Sequence, residues 1–249
     1  MLTRVDMSDK QANLLRVKKL LAHYRAGDIP TLAQHEVNPG FEKGSRENYL
    51  YFTLPVCINF QRNSPAMWRS ALAAWEDEMT RFVFLPEEVA VRPIEETRAA
   101  LLKHKLALQP NKHTQIWVTI SQTLHDHFQD DPREIIKLAD NNVVKLLDIL
   151  QQSHKPYFPY LSGPKLSNYW PYILSHYTDV AFINPHEISI IPDTHVIQSS
   201  ARLGLVPVGA TSLEVVDVWK QLLVDSGISP VEMHPVLWNW SRAGFLPEV

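Results

Sequence analysis

Almost every segment of the chain repeats its apolar residues at helical spacing, and that periodicity leaves little room for anything but an all-α fold. Leu14, Val17, Leu20 and Leu21 mark one face of a first helix that should end before Ala26-Gly27-Asp28-Ile29-Pro30. A second runs from about Glu47 through Ile58, with Pro55 bending or breaking it. A third has Pro65 at its start and Met67, Trp68, Leu72 and Trp75 near helical spacing. Residues 94–108 and 112–128 read as two more. After Asp131-Pro132 the apolar positions Ile135, Ile136, Leu138, Val143, Val144, Leu147 and Leu150 continue the pattern, with a break near Ala139-Asp140. Further helices are expected over roughly Asp193 to Leu203, Ser212 to Asp225 and Pro230 to Ala243. Residues 82–93, rich in β-branched and aromatic side chains, are the one place where a small strand pair is expected to be possible. The sequence shows no fixed-period repeat, glycine-rich phosphate loop or heptad run.

A chain of 249 residues with 45% hydrophobic content can bury a large core, as one large domain or as two lobes sharing a cleft. Its apolar runs are too short and interrupted to span a bilayer, and the first residues lack an apolar signal segment, so a soluble, cytoplasmic protein is expected. The single cysteine, Cys57, lies in an apolar run, where core packing is its default role. The net charge of −3 gives no global pull toward nucleic acid. Local basic clusters remain, Arg16, Lys18 and Lys19 or Lys103, Lys105 and Lys112, though each taken alone reads better as a solvated helix face. Among the 11 histidines, His125 and His127 flank Asp126, but alternate residues on a helix diverge, and no metal or cofactor is expected.

Two short strings carry the chemistry. In Ser162-Gly163-Pro164-Lys165-Leu166-Ser167-Asn168-Tyr169-Trp170, Pro164 suits a first helical position, which puts Lys165 at the positive pole of an aromatic-rich helix. On position alone this is a solvated lysine whose stem covers apolar neighbours. The alternative is an amine kept neutral by the helix pole and partial burial, the form that attacks carbon. Further on, Pro192-Asp193-Thr194-His195 opens a helix ahead of Ala201-Arg202-Leu203-Gly204-Leu205, and Asp193 is a natural N-cap.

These strings, in this order, resemble the helix-hairpin-helix DNA glycosylase superfamily, and within it the archaeal 8-oxoguanine DNA glycosylase family. Gly44-Ser45-Arg46 and the later Trp68 are similar to that family's early helix, and residues 218–245 resemble its C-terminal helix pair. The resemblance covers about three quarters of the chain and is weakest between Arg81 and Ser153. It implies one glycosylase-like domain of two helical lobes around a central cleft, with segments of about 1–90 and 180–249 in one lobe and about 91–179 in the other. It also implies catalytic roles for Lys165 and Asp193, a base pocket of Tyr169, Trp238, Trp68, His234 and Gln34, and DNA-backbone contacts at Gly163 and Ser162. The sequence departs from the family where His234 replaces a base-contacting aspartate. It departs again where Tyr160-Leu161-Ser162 precedes Gly163 without the usual first glycine, which counts against a backbone-bound cation at the hairpin.

The implied reaction is base excision from damaged double-stranded DNA by a monomer. The lysine attacks the sugar, a Schiff base forms and β-elimination nicks the strand, while the carboxylate stabilises charge on the sugar and the lesion is flipped between aromatic faces. Two alternatives stay open: a hydrolase acting on a free nucleoside or nucleotide, which the acidic balance and His234 suit, and a non-catalytic DNA-binding module on the same fold.

Overall fold

The computed structural model describes residues 7–31 and 38–249, with side chains from Lys10 onward. Thirteen α-helices follow in order among the described residues: α1 (Met7–Ala26), α2 (Arg46–Tyr51), α3 (Leu54–Cys57), α4 (Ser64–Glu76), α5 (Pro86–Val91), α6 (Ile94–Lys103), α7 (Pro110–His127), α8 (Pro132–Leu138), α9 (Val143–Asp148), α10 (Leu166–Tyr177), α11 (Thr194–Arg202), α12 (Ser212–Leu223) and α13 (Met233–Arg242). No strand occurs among them, and the fold is all-α as the periodicity requires.

The chain forms two compact units, one from Met1–Ala33 with Pro185–Val249, the other from Gln34–Asn184. The expected division near residue 90 falls instead inside the second unit. There α2 packs on α8, α3 on α7 and α10, and α4 on α6, so residues 38–90 belong with the middle of the chain.

In the first unit the apolar face of α1, Val17, Leu20 and Leu21, shares a core with Val196, Trp219, Val236, Leu237 and Trp240. Here α11 packs along α13, and buried polar groups are paired: Trp219 Nε1 donates to Ser200 Oγ at 2.8 Å, and Ser199 Oγ to Leu237 O at 2.8 Å. A reciprocal capping box between Thr211 and Glu214 starts α12.

The second unit is built on fully buried aromatics, Tyr51, Phe52, Trp68, Phe84 and Trp117. Residues 82–93 are not extended. A 3-10 turn over Arg81–Phe84 leads into α5, because Pro86 takes the first helical position and Glu87 and Glu88 meet the positive pole of the helix. Pro55 does divide its segment, into α2 and α3. The break after Ala139 is also present, with Asp140 and Asn141 at φ of 52° and 55° and the Asn142 side chain capping α9.

Gly44-Ser45-Arg46 has a local physical explanation. Gly44 adopts a φ of +88°, and a Cβ there would lie 2.6 Å from Asp179 Oδ2. Ser45 Oγ accepts the Asn48 amide at 3.2 Å and caps α2. Arg46 donates to Asp130 O at 3.0 Å and pairs with Glu87, tying α2 to α5 and to the turn ahead of α8.

Candidate active site

Lys165 lies one residue ahead of α10, as its N-cap, with backbone in the helical region and Gly163 and Pro164 forming the turn before it. Its Nζ donates to the Asn59 carbonyl at 3.2 Å, so the amine is anchored across the second unit to the end of α3. Asn59 is buried, and its amide donates to Ser64 Oγ at 3.0 Å. That hydroxyl is 3.4 Å from Tyr169 OH, which also accepts from Trp68 Nε1 at 3.3 Å. Lys165 and Tyr169, a turn apart on α10, are therefore joined through Asn59 and Ser64 into one polar cluster walled by Trp68. A further tie, Trp170 Nε1 to Thr53 Oγ1 at 2.9 Å, holds α10 on α3 and fixes where the lysine emerges.

Trp68 was expected as a wall of a base pocket. It is fully buried among Tyr51, Phe52 and Tyr169 and in this conformation stands behind Tyr169, holding its hydroxyl. Of the hairpin residues, the Ser162 amide donates to Phe158 O at 3.0 Å and the Gly163 amide to Tyr160 O at 3.0 Å. Tyr160 takes a φ of +63°, supplying the left-handed turn without a glycine.

In the first unit Asp193 is the N-cap of α11, its Oδ1 accepting the Val196 amide at 2.9 Å. This fixes the carboxylate at a helix pole that favours its charge. His195 stands edge-on to Trp238, with centroids 5.6 Å apart, and its Nδ1 is 3.1 Å from Ser241 Oγ. The Arg242 guanidinium lies over the Trp238 ring, 4.7 Å from its centroid. Trp238 is thus a half-buried ring braced on α13, while His234, one turn earlier, is buried. Gln34 lies outside the described residues.

Asn59, Ser64, His195 and Arg242 were not singled out from the sequence. Asn59 contacts a lysine 106 positions away, and nothing local announces that. His195 was in view within the Pro-Asp-Thr-His string, but its partner Trp238 is revealed only by the packing of α11 on α13.

Other chemistries find less support. Cys57 is fully buried, and burial pushes its thiol well above the ordinary range, which disfavours the thiolate a nucleophile needs. Among the described residues no group of three or more His, Cys, Asp or Glu converges on a metal position. His125 instead bonds Asp130 at 2.9 Å, which raises its pKa. No helix among the described residues is long and apolar enough to cross a membrane.

No described protein family and no curated protein matches the sequence. Among solved structures, a trapped covalent complex of endonuclease III with DNA containing an estranged adenine is similar in fold, with a TM-score of 0.58 and 18% identity over 96% of this chain and 86% of that one. A non-covalent endonuclease III–DNA complex is similar as well, with a TM-score of 0.56 and 16% identity over 96% and 86% of the two chains. At these identities the likeness is one of fold.

Proposed function

We propose that the protein is a DNA glycosylase with AP-lyase activity that removes an oxidised purine, 8-oxoguanine, from duplex DNA. The observation that carries this reading is the Lys165 amine, set at the head of α10 on the fold of endonuclease III and anchored to the Asn59 carbonyl. A neutral amine keeps a lone pair while donating to that carbonyl, so the same contact can aim the nucleophile.

As Nζ bonds to C1′ of the flipped nucleotide, the C1′–N9 bond breaks and the base leaves with the electron pair, taking up a proton. Ring opening gives a Schiff base. Loss of a C2′ proton then breaks the C3′–O bond, and the phosphate departs with its electrons. In the first unit the Asp193 carboxylate, which caps α11, is the group that stabilises the cationic sugar. In the second unit Tyr169, with Trp68 behind it, offers a ring to the base; in the first unit Trp238 offers a ring and His234 a polar group. Gly163 and the Ser162 hydroxyl approach the DNA backbone.

Borohydride reduction during incubation with a duplex containing 8-oxoguanine tests this directly. A covalent protein–DNA adduct is expected, and Lys165→Gln should abolish it. Absence of any adduct across a panel of oxidised bases would overturn the lyase assignment. Release of base from free nucleosides, with no salt-sensitive duplex binding, would favour the nucleoside hydrolase.

A further inference from the structure

The hairpin that leads to Lys165 and the segment after α3 each carry an aromatic ring that the proposed chemistry leaves unused. Tyr160 lies on Phe60 with centroids 4.3 Å apart and planes 14° from parallel. The Lys112 ammonium reaches both, 4.7 Å from the Tyr160 centroid and 5.2 Å from that of Phe60. His113 closes the inner side, edge-on to Phe60 at 5.0 Å. Tyr160 is 41% exposed, so the stack ends at the surface. Both supporting segments are bent to present it: Tyr160 and Gln61, the residue after Phe60, take φ of +63° and +50°, which bulky side chains disfavour. These segments also hold the lysine, since Phe60 follows Asn59 and the Gly163 amide bonds Tyr160 O.

Charge points to the occupant. Lys103, Lys137 and Lys145 each sit on a carboxylate, whereas among the described residues Lys105 and Lys112 have none within ion-pair distance. A partly exposed tyrosine ring backed by a second ring, beside an ammonium with no carboxylate partner, offers what a nucleotide needs, an aromatic surface for the base and a cation for its phosphate. An acidic peptide would use the cation and leave the flat face idle.

We infer that Tyr160, backed by Phe60 and flanked by Lys112, is a seat for an unpaired nucleobase in the DNA strand, with a neighbouring phosphate on Lys112. The seat is distinct from the pocket of the reacting base. It rests on the glycosylase reading for its occupant, and its test needs no chemistry.

Fluorescence anisotropy with a labelled, undamaged oligothymidylate reads it. Tyr160→Ala should weaken binding about fivefold or more, while Tyr160→Phe, which keeps the stack, binds as wild type. Lys112→Gln should reduce the slope of log affinity against log salt by about 0.7, the loss of one single-strand phosphate contact. Should Tyr160→Ala fail to fold, Lys112→Gln, an exposed substitution, carries the test. Wild-type affinity in a folded Tyr160→Ala together with a wild-type slope in Lys112→Gln overturns the seat, as does Tyr160→Phe binding as weakly as alanine or wild type failing to bind the oligonucleotide. Borohydride trapping on the same preparations separates the two ideas: adduct without oligonucleotide discrimination leaves the glycosylase standing and removes the seat, and the reverse removes the lyase alone.

Discussion

Acidifying the protein from pH 7 forces a proton toward a ring that the second unit keeps neutral. His113 is buried at the start of α7, and its Nδ1 accepts the Leu108 amide at 3.2 Å. Protonation would place two N–H groups face to face. Burial, with the nearby Arg62 and Lys112 charges adding to it, holds the imidazole down from 6.5 to about 4. The unfolded chain takes up this proton near pH 6.5 and the folded chain only near pH 4, so between those values the unfolded state binds more protons. Stability contributed by the neutral ring is therefore complete above pH 6.5, falls as pH drops toward 4, and changes no further below that. At about 1.4 kcal/mol per pH unit, the full gap is worth on the order of 3 kcal/mol, of which about 2 kcal/mol should be lost by pH 5. The carboxylates held below their usual range, Asp77 by Lys103 and His104, Glu87 by Arg46 and Glu214 by Thr211, lose their contributions at lower pH and leave this window clear. Two measurements check the reasoning. The His113 Cε1–H resonance should stay near its neutral position down to about pH 5 and shift only below that, and urea melts of wild type against His113→Asn should converge as pH falls from 7 to 5, because asparagine keeps an acceptor near Leu108 and cannot titrate. A His113 resonance that titrates between pH 6 and 7, or melts that run parallel, would refute it.

Other outcomes follow from individual contacts. Asp193→Asn should leave the thermal midpoint of the first unit near wild type, since asparagine caps as well as aspartate, yet lower base release about 100-fold or more; Asp193→Ala should in addition cost about 1 kcal/mol of stability. Gly44→Ala should destabilise the second unit by about 1–3 kcal/mol, read by urea denaturation, because the methyl group meets Asp179 at a φ that L residues resist. Tyr169→Phe should cost about 1–3 kcal/mol in the same assay by leaving the buried Trp68 Nε1–H without its acceptor.

The sequence was most legible where one residue's chemistry decides a local outcome. Helical period, Pro55, the capping of α11 by Asp193 and the break after Ala139 all act over a few residues and can be read there. Residues 82–93 misled because β-branched and aromatic content reports burial as well as strand formation, and Val83 and Phe84 are buried in a 3-10 turn. Lys165 was recognisable as a helix-start lysine, but what anchors it is a backbone carbonyl, and every residue type offers one of those. Trp68 and Trp238 looked alike in the sequence. One is sealed in the second unit and the other is braced at partial exposure on α13, a difference set by tertiary neighbours alone.

The first unit is assembled from two stretches of chain with all of the second unit between them. During synthesis α1 emerges with its apolar face formed, while Trp219 and Leu237, which cover it, are still some 200 residues away. At about 5–20 residues per second, that face waits roughly 10–40 s for its partners. The unit that carries the lysine is fully translated before the one that carries the carboxylate can close. A ribosome stalled between residues 185 and 210 would therefore hold a chain whose exposed greasy patch is α1, the segment a chaperone would meet first.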